Sequence, residues 1–271
     1  MSTLDIIKRR RSVRTFENKK LSQEDIDKIL DYASRVTNPY NLEISFRILD
    51  ADEYGLNCPV IVGCSTYIAG KMKRTIHSEE AFGYAFEKII LFCEENGIGT
   101  TWIAGTMNRD NFEKAIDLKE DEVMPCVSPL GYKAKKMSLR EGLMRKGIKA
   151  DSRMPFEELF FNKDFNTPLE RSDASKLELA LEAVRLAPSA VNKQPWRVVV
   201  DGKKVMFFKK GSKGYVSSSG WDIQKIDMGI AMCHFELVAS EEGINYTFGI
   251  EDNNELGNDE YTYIASYCLD L

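Results

Sequence analysis

The sequence predicts an α+β fold. Three observations carry the prediction: apolar stripes at helical spacing in several segments, an Asp201-Gly202 turn between two β-rich runs, and a C-terminal run alternating aromatic and polar residues. The Asp-Gly turn implies an antiparallel hairpin, so the chain is not read as an all-parallel α/β sheet.

Taken in order, Ser22 followed by Asp25 resembles a capping box, and Ile26, Ile29, Leu30 and Ala33 then share one helical face. Pro59 to Cys64, apolar and β-branched, predicts a buried strand. From Phe82 a second stripe runs through Phe86, Ile89 and Cys93 and stops at Asn96-Gly97. Residues 133–175 carry charge runs and are expected to be rich in loops. A helix with Leu177, Leu181 and Val184 in register follows, then strands over 197–200 and 205–208. The last helix is expected from about Gln224 to Glu242, and the last strand near Tyr261 to Tyr267.

With 271 residues and 43% hydrophobic composition, the chain can bury a substantial core. A net charge of −5 argues against a nucleic-acid partner. Without a long apolar run, neither a membrane span nor a secretory leader is expected, and the six scattered cysteines read as reduced thiols of a cytoplasmic protein. With two histidines and no Cys-x-x-Cys pair, no metal site is expected, nor a catalytic triad. His234 reads as a core histidine.

The two halves echo one another. A shift of 146 residues carries Gly83-Tyr84-Ala85 onto Gly229-Ile230-Ala231 and Asn96-Gly97-Ile98 onto Glu242-Gly243-Ile244. A shift of 150 carries Phe46-Arg47-Ile48 onto Trp196-Arg197-Val198. An internal duplication is therefore expected, with a first half over 1–165 and a second over 166–271. The halves differ where chemistry would sit. Arg10-Arg11-Ser12-Val13-Arg14-Thr15-Phe16 and Gly105 have no second-half counterpart. Conversely, Ser189, Asn192 and Gln194 become Pro39, Leu42 and Ile44 in the first half.

Arg10, Arg11 and Arg14 with Ser12 have the donors of an oxyanion clamp, because guanidinium groups bind phosphate through charge-assisted hydrogen bonds. Read alone, the same run is equally a solvated basic stretch. Gly105 would let a flat ligand approach backbone, or is a plain turn glycine. Arg153 is a candidate phosphate ligand or a surface arginine. Ser189, Asn192 and Gln194 can hydrogen-bond a heterocycle, or simply satisfy their own loop.

Together, Arg10 to Phe16, Gly99-Thr-Thr-Trp-Ile-Ala-Gly105 and Ala187-Pro-Ser-Ala-Val-Asn-Lys-Gln-Pro-Trp196 resemble the nitroreductase family of flavoproteins, and specifically its single-chain, internally duplicated branch. The resemblance implies a nitroreductase-like α+β fold of two pseudo-symmetric halves, an intramolecular pseudo-dimer, and FMN as cofactor. It implies that Arg10, Arg11, Ser12 and Arg14 hold the phosphate and the pyrimidine edge, joined at the phosphate by Arg153. It places Ala104 and Gly105 beside the flavin ring, and Pro188, Ser189, Ala190, Asn192 and Gln194 on the cofactor from the other half. Two positions differ from many relatives: Asp151 stands where a basic residue is common, and Ala104 where an acid is common. The implied activity is transfer of a hydride from NADH or NADPH through FMN to a nitroaromatic, quinone or similar acceptor, with no side-chain catalyst. A flavin-binding or storage protein of the same fold is the alternative, and either a monomer or a homodimer is compatible with the duplication.

Overall fold

The computed structural model describes residues 1–251 and 254–270. Helix α1 (Thr3–Arg9) opens the chain, which divides into two compact units, one over Arg9–Ala150, the other from Met1–Lys8 together with Asp151 onward.

The first unit contains α2 (Gln23–Ser34), β1 (Ile44–Asp50), α3 (Ala51–Tyr54), β2 (Thr66–Lys73), α4 (Ser78–Glu95), β3 (Ile98–Gly99), α5 (Arg109–Ala115), β4 (Glu122–Val123), β5 (Val127–Pro129), β6 (Gly131–Tyr132) and α6 (Leu139–Gly147). Strand β2 is its centre and pairs antiparallel with β1, β4 and β5. Helix α4 is buried almost all round, as its apolar run requires. The sheet meets α4 at Gly70, where a Cβ would lie 2.7 Å from the Phe46 ring and 2.8 Å from the Phe82 ring. Ser22 caps α2 as the sequence predicts, its Oγ accepting from the Asp25 N–H at 3.1 Å. Only Ile29 of the predicted α2 stripe is fully buried, and Leu30 is exposed.

The second unit contains β7 (Phe160–Asn162), α7 (Glu178–Leu186), β8 (Trp196–Asp201), β9 (Lys204–Lys210), α8 (Ile223–Glu241), β10 (Tyr246–Gly249) and β11 (Tyr261–Leu269). Its sheet runs β10-β11-β9-β8-β7, antiparallel except for β7 beside β8. The predicted Asp201-Gly202 turn joins β8 to β9, with Gly202 at φ +55°. His234 is fully buried on α8, Nδ1 2.9 Å from the Ala183 carbonyl oxygen.

Each unit thus repeats helix, strand, strand, helix: α2-β1-β2-α4 and α7-β8-β9-α8. The sequence shift that pairs Phe46 with Trp196 lands β1 on β8, and the one that pairs Gly83 with Gly229 lands α4 on α8.

One expectation needs correction. Pro59 to Cys64 is not a strand: Val62 makes one isolated bridge to Thr15 and Gly63 turns at φ +73°. The strand begins at Thr66, and within it Gly70 sits under the Phe46 and Phe82 rings. Residues 133–175 are rich in loops as expected, with α6 and β7 among them. Helix α6 starts on Ser138, whose Oγ accepts from the Glu141 N–H at 3.2 Å. Among the described residues no helix is long and apolar enough to cross a membrane.

Replacing Gly70 with Ala is expected to cost about 1–3 kcal/mol by overpacking. The urea midpoint should fall at an unchanged slope; an unmoved midpoint would mean that the two rings give way freely.

Candidate functional site

In the first unit the two sequence motifs lie side by side. Ser12 bridges Thr100 in parallel, and the Val13 N–H donates to the Thr100 carbonyl at 2.9 Å. On the other edge Phe16 N–H donates to Val62 O, and Val62 N–H to Arg14 O, both at 2.9 Å. The Phe16 ring rests on the paired glycines of β3 and β6: a Cβ at Gly99 would come 3.2 Å from it, and one at Gly131 2.8 Å. Gly99 is therefore explained by packing.

Gly105 is not. It is exposed, its φ lies outside the left-handed region, and a Cβ there would meet nothing within 4 Å. The loop beneath it is nonetheless fixed. Ile103 and Val127 exchange backbone bonds at 2.9 Å, and Arg109 donates to the carbonyls of Ala104 and Met124 at 2.6 Å. A rigid loop with an open glycine surface suits a flat ligand.

The charges come from two directions. Arg10, Arg11 and Arg14 lie on the opening segment, half-buried. From α6 come Glu141 and Arg145, four residues apart and hence on one helix face. The Glu141 carboxylate, 1% exposed, accepts from Thr15 Oγ1 at 2.7 Å and from the Arg14 N–H at 3.3 Å, and stands 3.6 Å from Arg11 Nη1. Arg145 Nη1 donates to the Ser12 carbonyl at 3.3 Å. Burial first, then the positive Arg145, pulls the Arg10 guanidinium below its ordinary pKa, against Glu87 and Glu94. Burial likewise lowers Arg14, with Arg145 adding to it and Glu141 opposing. Nη1 of Arg10, Nη1 of Arg14 and Oγ1 of Thr100 are buried with no hydrogen-bond partner. Buried donors left in this state call for a ligand or ion.

In the second unit the residues predicted from the APSAVNKQPW stretch form a single tight loop. Val191, Asn192 and Gln194 are all left-handed, at φ 51°, 55° and 50°. For a β-branched residue such as Val191 this is a strained conformation. Polar side chains hold it. Ser189 Oγ accepts from the Gln194 N–H at 2.8 Å, and the Gln194 amide accepts from Met154 N–H at 2.9 Å and donates to Asn192 O at 3.2 Å. Asn192 Nδ2 donates to Ser152 O at 3.0 Å. Arg153 donates through Nη2 to Leu186 O at 3.0 Å and through Nη1 to Ser152 O at 2.7 Å. Gln194 is buried, so its amide serves the loop, whereas Pro188, Ser189, Ala190 and Asn192 keep part of their surface. Beneath them Asp227 of α8 accepts the Ala190 N–H at 3.0 Å through Oδ1. Burial pushes the Asp227 carboxyl well above the usual carboxylate range, with Asp222 adding to the shift.

A family model described as "Putative TM nitroreductase" matches residues 2–239. The chain belongs to this family. Among solved structures it is similar to a "putative nitroreductase" from Thermotoga maritima, at 20% identity and TM-score 0.64, covering 99% of this chain and 93% of that one. That likeness shows the nitroreductase-like fold. A nitroreductase family protein from Clostridium novyi NT is 21% identical with a TM-score of 0.43, covering 50% of this chain and 87% of that one. A nitroreductase from Bacteroides fragilis, described with bound FMN, is 19% identical with a TM-score of 0.42, covering 51% and 92%. No curated protein matches the sequence.

In this nitroreductase-family chain, the sequence singles out the opening arginines, the glycine loop and the 187–196 loop as candidates. It passes over Glu141 and Arg145, which lie in a segment that reads as rich in loops. The Ser138-Leu-Arg-Glu141 spacing, a capping-box pattern, is the signal that would have revealed the helix. Asp227 is passed over because a single acid in an apolar helical stripe announces nothing without its partner.

The Asp227 shift sets a pH dependence. Its folded pKa is raised, so the contribution of Asp227 to stability is fully present below the unfolded value, near pH 4, and is lost as pH rises toward the folded value. Asp227→Asn escapes that loss. The variant should therefore gain in melting temperature relative to wild type at pH 7, and the gap should close as pH falls to 4. A gap that stays constant across this range would show that Asp227 is not held protonated.

Proposed function

We propose that the chain is an FMN-dependent oxidoreductase that takes a hydride from NADH or NADPH and passes reducing equivalents to a nitroaromatic, quinone or similar acceptor. One observation supports this above the rest. In a chain of the nitroreductase family, Arg10 and Arg14 each bury a donor without a protein partner, beside Ser12 and Thr100. That is the donor set a phosphate monoester and a flavin edge would satisfy. The open surface over Gly105 fits the same cofactor.

When bound, FMN would supply the hydride and electron transfer. The chain's own part is to bind and orient. Arg10, Arg11, Ser12 and Arg14 would hold the phosphate and the pyrimidine edge. Ala104 and Gly105 would lie against the ring on a loop pinned by Arg109. Pro188, Ser189, Ala190 and Asn192 would add contacts to the cofactor, with Gln194 and Arg153 fixing the loop that presents them. Buried guanidinium groups favour a bound anion strongly, because the surrounding dielectric is low.

Purified protein is expected to be yellow, or to turn yellow on adding FMN, and NADH or NADPH without oxygen should bleach it. Arg10→Ala and Asn192→Ala should each weaken FMN binding about 10- to 100-fold, as loss of a hydrogen bond to a charged or buried group does. Protein that takes up no FMN refutes the proposal. Bound flavin that neither nucleotide bleaches would assign the chain to flavin binding without turnover.

A further inference from the structure

Helix α6 reverses the usual order of a surface helix, which turns apolar residues to the core and charge to water. Its acid points inward: Glu141 is buried and accepts from Thr15 Oγ1 at 2.7 Å. Its leucines point outward, Leu139 being 90% exposed and Leu143 73%. They lie four residues apart and so share one face, with Glu141 roughly 200° round the helix from Leu139. Lys146, seven residues after Leu139, returns to the leucine face and is exposed. Just before the helix Lys135, Lys136 and Met137 are exposed as well.

This orientation is fixed from beneath. Ser138 Oγ accepts from the Glu141 N–H at 3.2 Å, and the Ser138 N–H donates to Thr15 Oγ1 at 3.0 Å. Arg140 Nη1 donates to the Pro59 carbonyl at 2.8 Å. The helix cannot roll its leucines under without breaking these bonds. Single apolar residues on a surface need no explanation, but Met137, Leu139 and Leu143 fall within seven residues and form a patch.

The charge around the patch selects what covers it. The whole chain is acidic at −5, yet residues 133–150 hold seven lysines and arginines and a single acid, the buried Glu141. A second copy paired on the same face would set lysine against lysine. A nucleic acid would meet the lysines and leave the leucines in water. A protein partner is held by aromatic and arginine anchors, with lysine depleted. Residues 133–150 contain no aromatic residue, and the leucines are edged by lysines. An anionic bilayer surface accepts both parts of the patch: leucines enter the boundary with the acyl chains, and lysines reach the headgroups on their long stems. At nine residues α6 is too short to span a bilayer and would lie along it.

We propose that the outer face of α6, with Lys135, Lys136 and Met137, is a docking surface for an anionic lipid bilayer. Leu139 and Leu143 enter the headgroup region, and Lys135, Lys136 and Lys146 meet its negative charge. The attachment is peripheral and reversible, and it requires no cofactor.

Co-sedimentation of the purified chain with vesicles tests this. Wild type should pellet with mixed phosphatidylcholine–phosphatidylglycerol vesicles and not with phosphatidylcholine alone, and added salt should release it. Leu139→Gln with Leu143→Gln should weaken partitioning about 10- to 100-fold. Lys135→Gln, Lys136→Gln and Lys146→Gln together should do the same. Because all five side chains are exposed, both variants should melt close to wild type. Binding to neither kind of vesicle, equal binding to both, or binding that both variants retain would overturn the proposal. So would a wild type that ignores vesicles but forms a dimer which the leucine variant loses; that result would assign the face to a second copy. Should the leucine variant fold poorly, the lysine variant decides alone, its binding falling if the surface docks on anionic lipid and holding if it does not.

Discussion

The Glu141 carboxylate organises the first unit. It is almost wholly buried, and a buried carboxylate costs less when donors and cations surround it. Its Oε2 accepts from the Arg14 N–H and the Thr15 hydroxyl of the opening segment, while Oε1, buried without a hydrogen-bond partner, faces the Arg11 guanidinium at 3.6 Å. The arrangement closes on itself, because Thr15 Oγ1 also accepts the Ser138 N–H at 3.0 Å at the start of the same helix. One side chain thereby fixes the start of α6 and the course of Arg14 and Thr15. With Phe16 locked over the Gly99 and Gly131 pair, the segment has little freedom left. The arginines projecting from it are held before any ligand arrives, which is the condition for a preorganised anion site.

The halves divide the work by the kind of constraint each imposes. In the first unit order comes from packing and charge: glycines that admit Phe16, a buried acid, and guanidinium groups with donors to spare. In the second it comes from backbone strain contained by hydrogen bonds. Three left-handed residues within four positions cost of order 1–3 kcal/mol each and persist only when the surroundings over-determine them. Here Gln194, Ser189, Asn192 and Asp227 supply that determination. The first-half counterpart, Thr37 to Phe46, has Pro39, Leu42 and Ile44 in place of Ser189, Asn192 and Gln194. It is organised differently, around Asn38, whose side chain bonds the backbone of Tyr40 and Leu42.

Much of this was legible in the sequence where a local signal and its cause coincide. The Ser22 cap, the Asp201-Gly202 hairpin and the Asn96-Gly97 stop each depend on a few adjacent residues, and each appears in the structure. The duplication could be followed because the matching residues occupy the same elements, β1 with β8 and α4 with α8. What could not be read depends on contacts far apart in sequence. The run 59–64 has strand composition, yet strand pairing goes to 66–73, where Gly70 admits the Phe46 and Phe82 rings and β2 finds partners on both edges. Glu141 meets its partners across more than a hundred residues. The chemistry of a residue type was legible, but not its assignment. Arg153 and Gln194 have the groups to bind a cofactor, and in this fold both also bond backbone of their own loop, Arg153 reaching the Asn192 side chain as well.

That last assignment follows from how α7 ends. Pro188, two residues beyond the helix, stops it from continuing, so the Leu186 carbonyl cannot receive the Ala190 N–H that a further helical turn would bring. Two backbone groups are left to be satisfied. The carbonyl is met by Arg153, a cation where the negative end of the helix dipole favours one. The N–H is met by Asp227 from below. Once these two take over the broken helical bond, the chain can turn through Val191 and Asn192 without leaving buried polar groups unsatisfied. Part of the Ser189, Ala190 and Asn192 surface then stays exposed, because the loop is anchored from beneath and from its flanks. The proline and amides of 187–196 thus belong to one device, in which ending the helix shapes the loop and the surrounding charged residues carry the consequence.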